Sequence, residues 1–443
     1  MSDRKFTDSE ELKSRLIDGL EYAVVQNPSY VFPREEYYPM APKITGGLGQ
    51  LVGIVSDMDG TTTTTENLCL HSLETMVRRI TGRLSEDEWT GLDHEKDYPH
   101  VIGNSTTRHV EYLIRTYKDA IRHKPFVRAA LEAAVWTLVN GADEGRRRDV
   151  ASTLKALGWE DVLAEDPHWQ RLQEPFHFDP KSQSGHLDGL TDAYADKLLI
   201  PDETAQVRLA IDVYYYRYHE ILAQIAAGEG EHLSKELLDG QRLIEPMPGV
   251  AIFLALVKGW LGRDAEKAFD YLMSETSLEI DPDEGRRILG DLGGRFQADP
   301  AKIAIVTSSI KYEADIVLNE VFAVIREQIE DVPVLKELIE SFNSVDEVYD
   351  AFITASDSSE IRLKPHRDLY SIALHAMGIA PEDFDKVAGF EDSESGTIAI
   401  RAAGIGLCLA VPFSDTAGHD FTAASHVLQG GLPEAILKHG LFL

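Results

Sequence analysis

The stretch VGIVSDMDGTTTTTE, residues 52–66, places Asp57 and Asp59 with one residue between them at the end of an apolar run, and follows them with five threonines. A carboxylate in such a place can attack phosphorus and form an aspartyl phosphate, dividing one hard displacement into two easier ones. A second carboxyl group beside it can protonate the leaving alkoxide and later deprotonate the water that cleaves the acyl phosphate. Asp57 is therefore the candidate nucleophile and Asp59 the candidate general acid and base. Gly60 lets the chain turn away sharply, and Thr61 can tie the loop down by hydrogen bonding. Taken alone, an Asp-Gly pair is also an ordinary turn signal.

Three later stretches end in residues of complementary chemistry: KIAIVTSS with Thr307, Ser308 and Ser309, IRLKPHRDLY with Lys364, and KVAGFEDS with Glu391 and Asp392. Carboxylates without clustered His or Cys are hard oxygen donors, which suit Mg²⁺ rather than zinc. A buried carboxylate cluster is costly unless a divalent cation and a cation such as Lys364 neutralise it. A hydroxyl and backbone N–H groups after KIAIV can hold phosphate oxygens. Singly, the Thr-Ser-Ser run reads as a helix cap, Lys-Pro as a surface loop and EDSESG as a helix start. All four at strand ends, in one chain order, ask for a phosphate ester on a magnesium ion.

Such a site needs a parallel sheet, whose ligands bind outside the carboxyl ends of its strands. Short bounded apolar runs predict strands in LVGIVS, in KIAIVTSS at 302–309, YDAFITASD at 349–357, KVAGFEDS at 386–393 and GIGLCLAV at 404–411. Helical patterns near 312–341, 366–377 and 394–403 alternate with them, which predicts an α/β fold with helices on both faces of a parallel sheet. PMPGVAIFLALVKGWLG opens with a Pro-Gly turn and predicts a helix over 246–262. Between Glu66 and Glu245 the periodicity is helical almost throughout, so an inserted helical domain is expected at 67–245. The core then comprises 51–66 and 246–443, with helical insertions near 263–298 and 315–348. Residues 1–50 read as an appended arm holding one helix near Asp8 to Val25, then a Pro- and Tyr-rich loop. GGLGQLVG at 46–53 precedes its strand, whereas a dinucleotide fingerprint follows one.

At 443 residues the chain exceeds one ordinary core. Its 75 acidic against 43 basic residues give a net charge of −32, which repels nucleic acid and anionic membranes. Cys69 and Cys408 form no disulfide framework or CxxC spacing, the first residues are charged, and no apolar run approaches a membrane span. A soluble cytoplasmic protein is expected, free to form a homo-oligomer.

The order DMDGT, IVTSS, LKPHRDLY and GFEDSESG resembles the haloacid dehalogenase superfamily, and more narrowly its phosphatase and phosphomutase branch with a helical cap after the first motif. The resemblance covers about residues 50–66 and 246–430. It implies a Rossmann-like three-layer core, with Asp57 as nucleophile and Mg²⁺ ligand, and Asp59 as acid and base with its backbone carbonyl on the metal. It further implies that Thr307 and the Ser308 N–H bind the phosphoryl group, that Lys364 neutralises nucleophile and phosphate, and that Asp392 and Glu391 hold the ion directly or through water. The family's dehalogenases lack a carboxylate at the position of Asp59, and its ATPases carry threonine there. The expected activity is thus hydrolysis of a small phosphorylated metabolite, with a phosphomutase, a phosphonate hydrolase or a partner-binding scaffold as alternatives.

Departures from the family pattern are equally informative. DGTLxDTE reads DGTTTTTE here, with Thr64 in place of an aspartate and Glu66 retained. The hinge histidine of the sugar phosphate mutases falls at Cys69, with His71 two residues beyond, which favours a phosphatase. A phosphonate hydrolase needs a cap lysine, and no motif marks Lys118 or Lys124. In KPHRDLY the second proline of KPxPxxY becomes Arg367, read as facing water. Asn104, Ser105, Thr107, Arg108 and His109 in YPHVIGNSTTRHVEYL resemble a cap loop facing the site; Asn104 and Arg108, with Thr61, Ser308 and Ser309 of the core, are the expected substrate contacts. The spacing of His168 and His177 in DPHWQRLQEPFHFDP does not favour a metal site.

Overall fold

The computed structural model describes residues 9–442 apart from 17, 28–30, 86, 102–105, 174–176, 239, 414–415 and 417. Ten strands are described: β1 (Tyr22–Gln26), β2 (Glu35–Pro39), β3 (Gly53–Asp57), β4 (Thr63–Thr64), β5 (Glu245–Pro246), β6 (Lys302–Val306), β7 (Ala351–Ile353), β8 (Val387–Glu391), β9 (Leu407–Ala410) and β10 (His426–Val427). Six form one parallel sheet in the order β10-β9-β8-β3-β6-β7, with β3 between β6 and β8. Connections run from β3 to one side and later return to the other, so the strand order reverses beside β3, where open α/β sheets bind ligands.

Period-two alternation supplies both faces of this sheet. Ile54, Ile303, Ile305, Ala388, Phe390, Leu407 and Leu409 enter the larger core with the helices Val250–Val257 and Lys311–Ile329. Val55, Ala304, Val306, Val387, Cys408 and Ala410 enter a second core with the helices Asp368–Ala376 and Glu394–Ala402. The expected three-layer α/β sandwich is present. It carries the large helical insertion: β4 and β5 pair antiparallel, Thr64 opposite Glu245, so the chain leaves and re-enters the core through one ribbon. Helices from Glu66 to Leu237 lie between the two strands of that ribbon.

The longest helix of the insertion, Glu203–Ala226, starts where the Asp202 side chain accepts from the Ala205 N–H at 2.8 Å. Its His219 reaches Glu313 on the core helix at 2.7 Å, both side chains being buried. Among the described residues no helix is long and apolar enough to cross a membrane.

Several sequence expectations need correction. The helix expected over Asp8 to Val25 is short, Ser9–Arg15, and the chain then makes an antiparallel hairpin of β1 and β2. Alternation explains the hairpin: Ala23, Val25 and Tyr38 turn inward onto Ala402, Met40 and Ile398, while Val24 and Tyr37 face solvent. The strand expected at 349–357 keeps only Ala351–Ile353, because Thr354 and Asp357 cap a 3₁₀ turn. The helix expected at 312–341 ends at Ile329, and Lys336–Phe342 is a 3₁₀ helix. Strand β10, two residues long, was not expected.

Candidate active site

The last residue of β3 is Asp57, and the turn behind it is sewn by the threonines. Thr62 Oγ1 donates to the Asp57 carbonyl at 2.7 Å, and Thr63 Oγ1 to the Glu245 carbonyl at 3.0 Å. Thr65 Oγ1 donates to Asp59 Oδ1 at 2.7 Å. Thr61, the threonine singled out from sequence, is 1% exposed, and its hydroxyl has no hydrogen-bond partner among the described residues. Gly60 turns at a φ of +82°, and a Cβ there would stand 2.3 Å from Asp392 Oδ2. The motif thus needs glycine both for its backbone and for the approach of the acidic pair after β8.

Asp59 collects three hydroxyls, from Thr65, from Thr307 at 3.0 Å and from Ser309 at 3.2 Å. Burial raises its carboxyl above the usual range, and the hydroxyls of Thr65 and Thr307 pull it back. Thr307 follows β6, and its Oγ1 also accepts from the Ser309 N–H at 2.9 Å. Ser308 is exposed.

Lys364 joins the two sides of the sheet. Its buried ammonium donates to Asp57 Oδ1 and, at 2.6 Å, to Glu391 Oε1. Burial opposes its charge, yet Asp57 and Glu391 raise its pKa. Glu391 Oε1 also accepts from Tyr370 Oη at 2.9 Å, while Oε2 accepts from the Asp392 and Ser393 N–H groups and from Ser393 Oγ at 2.9 Å. The carboxylate lies so close to the next helix that a Cβ on Gly396 would be 1.7 Å from Oε1.

One oxygen each from Asp57, Glu391 and Asp392 lie within 4.8 Å of one another, all three residues being buried. Asp57 and Asp392 are raised first by burial and then by Glu391, the signature of carboxylates crowded together. One ammonium against three carboxylates leaves the cluster short of positive charge, and hard oxygens at this spacing fit a divalent cation. Glu391 has both oxygens engaged by donors, so Asp57 and Asp392 offer the freer ligand atoms and Glu391 suits the holding of Lys364. The Asp59 carboxylate stands outside this group of three.

Asp57 and Asp392 are each 5% exposed. Tyr214 Oη meets Cys69 Sγ at 3.6 Å, and burial pushes that thiol up to about 12. Arg217 donates to His71 Nε2 at 3.3 Å, and burial and Arg217 hold His71 down to about 4. His71 is thus an acceptor for a guanidinium, not a proton carrier at neutral pH.

A folded pKa below the unfolded value near 6.5 means that the unfolded chain binds the proton more tightly. Stability held by this pair is full above that value and is lost as pH falls from about 6.5 to 4. Urea midpoints at pH 7.5 and 5 are therefore expected to separate less in His71→Gln, which keeps an acceptor, than in the wild type.

The proposed cap contacts fare differently. Arg108 and Thr107 are exposed and His109 is buried. Asn104 and Ser105 lie outside the described residues. Lys118 is exposed, and Lys124 pairs with Asp192 at 2.6 Å on the surface. His168 meets His186, not His177, at 2.8 Å. Arg367 is exposed as expected, its guanidinium 5.4 Å over the Tyr38 ring. Thr62, Thr65, Tyr370 and Ser393 were not anticipated, although all lie within or beside the quoted motifs.

No family profile and no curated protein matches this chain. Among solved structures, CbbY from Rhodobacter sphaeroides in complex with phosphate is 13% identical, covers 87% of this chain and 99% of its own, and has a TM-score of 0.40. A point mutant of the same protein in complex with xylulose-(1,5)bisphosphate gives 14%, 89%, 100% and 0.41. A beta-phosphoglucomutase from Clostridium difficile gives 11%, 86%, 92% and 0.35. Likenesses this slight establish neither a shared family nor a shared function.

Proposed function

We propose that this chain is a Mg²⁺-dependent phosphatase of a small phosphorylated metabolite, built on the haloacid dehalogenase plan that its motif order resembles. The observation that carries the reading is the convergence of Asp57, Asp59, Thr307, Lys364, Glu391 and Asp392 at the carboxyl ends of three adjacent strands, β8, β3 and β6. Residues 51–66 and 246–443 would be the catalytic core, 67–245 the cap and 1–50 an arm.

Lys364 occupies Asp57 Oδ1, which leaves Oδ2 to attack phosphorus. Asp59, with its pKa raised by burial, can hold the proton that the leaving oxygen needs. Once ionised, it takes a proton from the water that attacks the acyl phosphate. Asp57 and Asp392 would hold Mg²⁺, whose positive charge would offset the negative charge of the phosphoryl oxygens. Thr307 donates to Asp59 in this state, so binding a phosphoryl oxygen would require its hydroxyl to turn. With the carboxylates buried, the cap must open to admit substrate, and its closure would exclude water from the acyl phosphate.

The mutase alternative gains no support from His71, which serves Arg217, and a phosphonate hydrolase gains none from Lys118 or Lys124. The net charge of −32 supports a small-molecule substrate over nucleic acid or a membrane surface. We place the enzyme in the cytoplasm and leave a homo-oligomer open to measurement.

Phosphate release from a panel of phosphorylated metabolites, with Mg²⁺ and with chelator, tests the reading. Release that falls by about a hundredfold or more on chelation and returns with Mg²⁺ is the expected result. Folded, Mg²⁺-binding protein that releases phosphate from nothing would overturn it.

A further inference from the structure

The N-terminal hairpin touches the loop that presents Lys364. Arg362 and His366 stand two residues to either side of that lysine. Arg362 Nη1 donates to Glu36 Oε2 at 3.0 Å and to Tyr38 Oη at 3.1 Å, and its Nε donates to Asp368 at 3.1 Å. His366 Nδ1 lies 3.0 Å from Tyr38 Oη. Tyr38 and His366 are 7% and 4% exposed.

A phenol has one proton and two lone pairs. Tyr38 gives its proton to Glu36, so it must accept from Arg362 and from a protonated His366 Nδ1. The hydroxyl is thereby saturated, and it fixes the tautomer of a histidine whose pKa burial lowers. Asn27 donates to Glu36 Oε1 at 3.0 Å, and hydrogen bonds with Tyr38 and Asn27 hold Glu36 down to about 2. The same hairpin packs on the helix Glu394–Ala402, which begins two residues after Asp392. Arg401 of that helix is 1% exposed and reaches the Ala41 carbonyl at 2.6 Å and Glu21 at 2.6 Å.

We propose that the hairpin is a catalytic brace, in which Tyr38 and Glu36 act as positioning residues that hold both flanks of Lys364 and so keep its ammonium between Asp57 and Glu391. This rests on the phosphatase reading for its catalytic consequence, and on the geometry alone for the ordering of the loop. Hydrogen bonds two residues either side of the lysine limit the swing of its backbone, and small misplacement of a charge at a reacting centre lowers turnover more than binding.

The test is Tyr38→Phe, which keeps the ring packed and removes only the hydroxyl, with the exposed hairpin residue Val24→Ala as control. Two readouts are taken: hydrogen exchange of the backbone in 359–369 and Mg²⁺-supported hydrolysis of p-nitrophenyl phosphate. Exchange in that segment is expected to rise about fivefold or more in Tyr38→Phe, with β3 unchanged. Turnover is expected to fall about fivefold to tenfold with KM altered less than about twofold, and Val24→Ala to match wild type.

Unchanged exchange at 359–369 in Tyr38→Phe would overturn the brace, as would equal loosening of β3, which would signal a merely structural role. Loosened exchange with unchanged turnover would overturn the catalytic part. If wild-type protein hydrolyses no phosphate ester, the phosphatase reading fails while the exchange result still decides whether the hairpin orders the lysine loop.

Discussion

Asparagine in place of Asp57 is expected to lower phosphate release by about four orders of magnitude or more, with Mg²⁺ present and the protein still folded. The amide fills the same space but cannot attack phosphorus. Nor does its removal strip the site of order, because Lys364 keeps Glu391 and the turn is held through the Asp57 backbone carbonyl by Thr62. Burial and neighbouring carboxylates both penalise the charge on Asp57, so a neutral residue there relieves repulsion on Asp392 and Glu391. The thermal midpoint should therefore be no lower than that of the wild type, and the loss of turnover cannot be charged to unfolding. Phosphate release on the panel and the unfolding midpoint are measured on the same preparation. A variant retaining more than about a tenth of wild-type turnover would exclude a covalent aspartyl phosphate and point to direct attack by water.

What the sequence made legible was whatever repeats with a short period or stands at a strand end. Ile54, Val55, Ile303, Ala304, Ile305 and Val306 announce strands buried on two sides, and the polar residues after each run mark where the sheet must open to a ligand. The arm was misread because Leu12, Leu16, Leu20 and Val24 recur at four-residue spacing, which matches a helix. The decision for a hairpin lies with Ala402 and Ile398, about 375 residues away, which only the folded chain brings against Ala23 and Val25. The threonine run shows a different limit. Five identical side chains carry no mark telling which serves the Asp57 carbonyl, which serves Asp59 and which is left buried without a partner among the described residues. Tyr370 and Ser393 were hidden in the same way, since a hydroxyl in a motif reads as a cap or a surface group until its acceptor is placed.

Asparagine in place of Asp59 is expected to separate the two halves of the reaction. Asp59 sits among the hydroxyls of Thr65, Thr307 and Ser309, and an isosteric amide can keep one acceptor among them while losing the proton traffic. An alkyl phosphate has a strongly basic leaving oxygen, so formation of the acyl phosphate on Asp57 needs the acid and is slowed with the rest. A p-nitrophenolate leaves without a proton, so that first step survives. Hydrolysis of the acyl phosphate still needs a base for the attacking water, and Asp57, Glu391 and Asp392 are engaged by Lys364 or reserved for the cation. Steady-state turnover of p-nitrophenyl phosphate should then fall by about 10² to 10⁴. Rapid mixing should nonetheless show about one equivalent of p-nitrophenolate per chain in the first turnover, followed by the slow phase. Acid-quenched protein examined by intact-mass spectrometry should carry one phosphoryl group, which is absent when Asp57 is also asparagine. A slow reaction with no burst and no phosphorylated protein would mean that Asp59 serves the first step alone, and the base for the second would have to be sought among other residues.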